Sequence, residues 1–287
     1  MTVGRVLATD LDGTFIGDDA AMFGLWDDLA AAEVFVAFST GRHLPSIGDF
    51  YTEHNVTRRA DACICMVGTE LWWRVDGEYE RDDGWSRHIS DAWDKDAVEA
   101  ILSDIPDATM QAEEWQSEFK SSYYLEENVD ASLEEIADQL DRRRLQAKIV
   151  YSAGRFLDVL PHFSGKGGAV AYLARSLGVA PGAVVTAGDT GNDIDMMRPD
   201  LGFRGIAVGN AAEELRREAE DSTAYGSYDL GGEPIRSAYC SFASGGLAVD
   251  GLDVPTEWFK LKVTFPNSGC YSSRIDYQSA YGDTVLL

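Results

Sequence analysis

The stretch Val6-Leu7-Ala8-Thr9-Asp10-Leu11-Asp12-Gly13-Thr14 decides the fold. Its apolar start reads as a short buried strand that ends in Asp10, and a strand buried on both faces belongs to a parallel sheet. Open α/β sheets bind ligands at the carboxyl ends of their strands, so Asp10 and Asp12 fall where a site can be built. Two carboxylates this close are costly unless a cation neutralises them or one of them holds a proton. The arrangement therefore asks for a hard divalent ion such as Mg²⁺. Taken alone, the same residues could be two surface aspartates starting a turn.

Outward from this strand, helix-like segments over 19–32 and 44–53 alternate with the apolar runs VFVAFST and ACICMVG, which end at residues 40 and 68. That rhythm predicts βαβ units and a parallel sheet. It returns after residue 161, with a helix over 167–176, the strand AVVTAGD, a short helix over 193–197 and the strand RGIAVG. Between the two halves lie a helix over 91–103, the β-rich SSYYL, a helix over 130–143, and the runs AKIVYS and RFLDVLP joined at Ala153-Gly154. Alternating polarity around a glycine turn predicts a hairpin in an antiparallel sheet. The fold class is thus α/β: a Rossmann-like parallel-sheet core made of 1–83 and 161–250, with an inserted α+β cap domain over 84–160. The periodicity fades over 251–287, a C-terminal tail to which no role is assigned.

The 287 residues carry 24 Lys+Arg against 49 Asp+Glu, a formal net charge of −25. Such a surface repels polyanions, so no nucleic-acid partner is expected. The surplus of Asp over Glu and the scarcity of Lys suit a salt-rich cytoplasm, and ordinary acidic solubility accounts for them as well. Cys63, Cys65, Cys240 and Cys270 are too sparse for a disulfide framework, which points to reduced thiols. With no signal-like start and no run of about 18 apolar residues, a cytoplasmic protein without a membrane partner is expected.

Three further motifs sit where the strands predict the same site. Ser39-Thr40-Gly41-Arg42 ends the second strand and offers a hydroxyl and a guanidinium to an anion, although alone it would be a turn and a helix start. Lys166 opens a helix, where an ammonium and free amides can hold phosphate charge together, unless it is simply a solvated lysine. In the run 188–193, GDTGND, Asp189 and Asp193 flank a glycine-bearing turn, and Asn192 adds an oxygen. The twelve-residue ligand ladder of an EF-hand is absent.

This ordered set, DLDGT, STGR, a helix-starting lysine and GDTGND, resembles the haloacid-dehalogenase-like phosphatase superfamily over about the first 210 residues, in the subclass with an α/β cap. The resemblance implies that Asp10 is the nucleophile and Asp12 the general acid and base. It implies phosphate binding by Thr40, Gly41, Lys166 and Asn192. It also implies Mg²⁺ held by Asp10, the Asp12 carbonyl, Asp189 and Asp193. The stretches CICMVGTEL, SEFKSSYYL and RFLDVLP, the last followed by SGKGGAV, are similar to sucrose-6-phosphate phosphatases.

Arg42, Lys120 and Asn210 are the candidate substrate contacts. Lys120 could equally be a surface lysine beside an edge strand, and Asn210 an N-cap for a helix over 211–219. Trp72, Trp73, Trp85, Trp93 and Trp115 read as cap or hinge packing, and the four histidines as non-catalytic. The expected activity is Mg²⁺-dependent hydrolysis of a small-molecule sugar phosphate, sucrose 6-phosphate first. A mannosyl- or glucosyl-3-phosphoglycerate phosphatase and a phosphohexomutase are the alternatives. A monomer is expected, with association with a sugar-phosphate synthase left open. A non-enzymatic phosphate sensor would require the loss of a catalytic group, and none is missing.

Overall fold

The computed structural model describes residues 3–17 and 19–220, with short strand segments at 225–226, 277–278 and 284–285. The chain runs β1 (Val6–Thr9), α1 (Asp19–Ala31), β2 (Phe35–Ser39), α2 (Leu44–Glu53), β3 (Ala62–Cys65), β4 (Glu70–Val75), β5 (Glu78–Arg81) and α3 (Asp83–Ile89). It continues through α4 (Lys95–Ser103), β6 (Ala108–Met110), β7 (Ser121–Leu125), α5 (Val129–Arg143), β8 (Ala147–Ser152) and β9 (Phe156–Pro161). Then follow α6 (Lys166–Leu177), β10 (Val184–Gly188), β11 (Arg204–Ala207), α7 (Glu213–Glu220) and β12 (Tyr225–Gly226). Residues Met1–Ala238 form one compact unit and Tyr239–Leu287 a second, in which β13 (Tyr277–Gln278) pairs antiparallel with β14 (Thr284–Val285). The remainder of the expected tail, Cys270 included, lies outside the described residues, as does Cys240 near the end of the expected core.

One eight-stranded sheet has the order β12-β11-β10-β1-β2-β3-β4-β5. The two halves predicted from sequence do share it, because β1 pairs in parallel with β10 on one side and β2 on the other. Alternation along β2 explains how both faces are covered. Ala37 belongs to the cluster that includes Ala169, Val170 and Leu173 of α6. Its neighbour Phe38 points the other way, edge-on to Trp26 of α1 and Phe50 of α2. Helix α1 presents Met22, Leu25, Trp26 and Leu29 at helical spacing to this layer.

The sheet is longer than the sequence reading allowed, since β4 and β5 extend it as an antiparallel hairpin. Its two-residue loop is Asp76-Gly77, both at positive φ, which is the Asp-Gly signal of a tight primed turn. The adjacent Trp72 and Trp73 of β4, which break the two-residue alternation, disguised it.

A second, four-stranded antiparallel sheet, β6-β7-β9-β8, is inserted between the core halves. The predicted β8–β9 hairpin is present, with Ser152 paired to Phe156. The inner faces of α4 and α5 close over this sheet: Val98, Ile101, Ile136 and Leu140 pack with Tyr123, Leu125, Leu157 and Val159. Helix α3 and strand β6 are additional to the sequence expectation. Among the described residues no helix is long and apolar enough to cross a membrane.

Candidate active site

Asp10 leaves the end of β1 with its amide donating to Ala187 of β10, 2.8 Å away. Its side chain is buried, and Oδ1 accepts from Lys166 Nζ at 2.7 Å. The same ammonium reaches Asp193 Oδ1 at 2.6 Å and is itself wholly buried. Asp193 Oδ2 accepts from the amides of Asp189 and Thr190, so this carboxylate shapes the turn after β10 as well as holding the lysine. Gly13, at φ +73°, lies so close that a Cβ there would overlap the Asp189 carboxylate.

Oxygens of Asp10, Asp189 and Asp193 all fall within 4.8 Å of one another. Burial drives the Asp10 carboxyl well above its ordinary range, opposed by the Lys166 ammonium. Burial, followed by the Asp193 charge, pushes Asp189 up to about 7. Lys166 is opposed by its own burial, yet the two carboxylates outweigh this and hold its proton firmly. Three carboxylates around a single ammonium leave excess negative charge in a low-dielectric place. An all-oxygen donor set of this kind fits a hard divalent cation.

Above this floor a cavity of about 860 Å³ opens towards the inserted sheet. Thr40, Gly41, Arg42 and Asn192 line it, together with Asp10, Asp12 and Asp189. Thr40 is held by its amide on Ile64, and its hydroxyl accepts from the Arg42 amide. Arg42 does not stand free as an anion ligand: Nε and Nη2 donate to the two Asp12 oxygens at 2.8 and 2.6 Å, and Nη1 reaches Ser46 O.

Lys166 is enclosed behind Asp10 and does not line the cavity. The amide that follows it, of Gly167, is taken by Asp195, which corrects the expectation of free helix amides. Asn210 does not line the cavity either; its Nδ2 donates to Gly13 O and stitches down the DLDGT turn. The N-cap alternative over 211–219 also gives way, because α7 begins at Glu213.

Lys120 is not a surface lysine. It precedes β7, an interior strand, is 3% exposed, and lines the cavity. Its Nζ donates to Ser122 Oγ at 2.6 Å and pairs with Asp158 at 3.2 Å, while the Ser122 hydroxyl also donates to Asp158. Asp158 went unremarked in the sequence, although a lone carboxylate inside the apolar run RFLDVLP was its signal. Trp115, Tyr124 and Phe156 line the cavity too. Of the other tryptophans, Trp85 is fully buried in the core with Nε1 on Gly68 O. Cys63 and Cys65 are free thiols in the core. No histidine joins a metal-capable group among the described residues.

A mostly parallel sheet with paired carboxylates at its centre, covered by an inserted α+β cap, defines a haloacid-dehalogenase-like protein. More narrowly, the chain belongs to the sucrose-6F-phosphate phosphohydrolase family, whose model matches residues 3–227. It is 32% identical over 222 residues to sucrose-phosphatase 1 of Nicotiana tabacum, covering 73% of this chain and 51% of the tobacco protein. It thus spans about half the length of that relative. It is 35% identical over 218 residues to the mannosylfructose-phosphate phosphatase of Agrobacterium fabrum, covering 74% and 85% of the two chains. Among solved structures it is similar to the sucrose-phosphatase of Synechocystis in complex with sucrose and phosphate. There the TM-score is 0.73 and the identity 26%, covering 82% of this chain and 95% of that one.

Proposed function

We propose that this protein is a Mg²⁺-dependent phosphatase of a disaccharide phosphate, sucrose 6-phosphate first, working through an aspartyl-phosphate. The observation that carries this reading is Lys166, buried between Asp10 and Asp193 with Asp189 alongside. An Asp10 oxygen attacks phosphorus as the bond from phosphorus to the sugar oxygen breaks, and Asp12 gives that oxygen a proton. Asp12 then takes a proton from water, which attacks phosphorus and frees both phosphate and Asp10. Asp12 must release Arg42 to do this, since both of its oxygens are engaged. Lys166, acting from behind Asp10, and the Thr40 hydroxyl at the cavity wall offset charge that develops on the phosphoryl oxygens. Asp10, Asp189, Asp193 and the Asp12 carbonyl would hold Mg²⁺, which when bound neutralises the phosphoryl charge.

The leaving group meets the cavity wall beneath the inserted sheet. Among the described residues lining the cavity, both cations are paired, Arg42 with Asp12 and Lys120 with Asp158. Lys120 is not left for a carboxylate, and Arg42 comes free only as Asp12 turns to the sugar oxygen, which favours an uncharged polyol over a phosphoglycerate. Trp115, Tyr124 and Phe156 supply apolar faces of the kind sugar rings pack against.

The test is phosphate release from a panel of sugar phosphates with Mg²⁺. Sucrose 6-phosphate should be preferred over glucose 6-phosphate and over glycosyl-3-phosphoglycerates. A preference for a phosphoglycerate would overturn the substrate reading and leave the phosphatase reading standing.

A further inference from the structure

Asp195 has no part in the chemistry above, yet three donors from three segments converge on its carboxylate. Oδ2 accepts from the Gly167 amide at 2.9 Å and from Lys148 Nζ at 3.1 Å, while Oδ1 accepts from Arg198 at 3.2 Å. Lys148 lies on β8 of the inserted sheet, whereas Gly167 directly follows Lys166 in the first turn of α6. Arg198 is nearly half exposed and shared with Asp200, so Lys148 is the more enclosed of the two cations.

Space is as tight as the bonding. A Cβ on Gly165 would overlap both Lys148 Nζ and Asp195 Oδ2, and one on Gly167 would overlap the Asp195 carbonyl. The segment that delivers Lys166 is therefore moulded against Asp195, on the same turn of chain as Asp193. One carboxylate touches the cap through a side chain and the backbone behind Lys166 through an amide.

We propose that Asp195 is a positioning residue that ties the seating of the cap to the placement of Lys166, with Lys148 as the cap's half of the tie. The inference rests on the reading of Lys166 as the group that holds phosphoryl charge. When the cap is seated, Lys148 neutralises the carboxylate and fixes its orientation, and the Gly167 amide sets the start of α6. When the cap lifts, Asp195 loses its enclosed cation and the start of α6 loosens. The phosphoryl site is then complete only under a closed cap, where water is excluded.

The test is steady-state hydrolysis of sucrose 6-phosphate and p-nitrophenyl phosphate by the full chain and its Lys148→Met, Lys148→Arg, Asp195→Asn and Lys148→Met/Asp195→Asn variants. Asp195→Asn should lower kcat at least about tenfold on both esters, as expected for a displaced charge-stabilising group. Lys148→Met should lower kcat as well as raise KM for sucrose 6-phosphate, Lys148→Arg should restore most of the loss, and the double variant should be no worse than Asp195→Asn alone. Losses that multiply as independent effects would overturn the tie. So would a lowered Tm with kcat unchanged, or no rescue by Lys148→Arg. Should Asp195→Asn fail to fold, the Lys148→Met loss of kcat and its rescue by arginine decide the matter alone. A wild-type protein inactive on both esters would sink the phosphatase reading and this inference with it, whereas active wild type with multiplying losses sinks this inference only.

Discussion

Arg42 grips Asp12 with two parallel N–H bonds, Nε to Oδ2 and Nη2 to Oδ1, on the open side of the candidate site. The geometry is bidentate, so it fixes the carboxylate's orientation as well as its partner. Asp12 is more than half exposed while Asp10, two residues earlier, is buried. The two carboxylates of DLDGT thus occupy different surroundings, which suits them to different parts of one reaction.

For Asp12 the expected outcome of Asp12→Asn is a split between the two half-reactions. The leaving group of p-nitrophenyl phosphate needs no proton, so the variant should release a burst of about one nitrophenol per enzyme and then turn over some 10²–10⁴-fold more slowly than wild type. Rapid-mixing absorbance measures this directly. Loss of the burst together with turnover would assign Asp12 to the first step or to structure.

For Asp10 the amide replacement removes the attacking oxygen and one of three crowded negative charges. Phosphate release by Asp10→Asn should fall by several orders of magnitude, with the Tm of the metal-free protein no lower than that of wild type. Retention of a tenth of wild-type activity would rule out the aspartyl-phosphate.

The raised Asp189 carboxyl makes a prediction about pH. In the metal-free folded protein it is protonated below about 7, whereas in the unfolded chain it ionises near 4. Over that interval the folded state binds more protons, so Asp189 lowers stability as pH rises. Mg²⁺ must displace this proton, so its apparent affinity should climb with pH through about 7, with proton release accompanying binding, to which the raised Asp10 carboxyl adds. Calorimetric titrations in two buffers of different ionisation enthalpy would show the proton release. An affinity flat from pH 5.5 to 8 would place the metal elsewhere.

The pairing of Lys120 with Asp158 makes selectivity testable. Asp158→Asn keeps the shape and a hydrogen-bonding partner for Ser122 but frees the lysine charge. The ratio of kcat/KM for sucrose 6-phosphate to that for 3-phosphoglycerate should fall at least about tenfold, an effect of the size expected from one unpaired buried charge. An unchanged ratio would show that Lys120 does not face the leaving group.

The chain announces its core openly because three of the motifs follow strands whose apolar runs are easy to read. Asp10, Thr40 and Asp193 come after β1, β2 and β10, so their convergence followed from a parallel sheet alone, whereas Lys166 comes after β9 of the inserted sheet and was placed by the resemblance. What stayed hidden depends on partners distant in sequence. Asp158 looks like a break in an apolar strand until Lys120 and Ser122 are beside it. Arg42 looks like an anion ligand until Asp12 is found across it. The β4–β5 hairpin was masked because Trp72 and Trp73 occupy both faces of β4, which blurs the two-residue alternation.

The position of β1 also governs how the molecule can be assembled. Val6 pairs on one side with Phe35, close by in sequence, and on the other with Val184, far along the chain. The whole of the second sheet must be threaded out in between. A nascent chain that has reached β9 therefore carries a hydrophobic, unpaired strand edge at the centre of its future sheet, the kind of surface that recruits other chains. The route to the native state is dominated by this one long-range closure, which predisposes the protein to slow folding and makes the arrival of β10 the step that ends its exposure to aggregation.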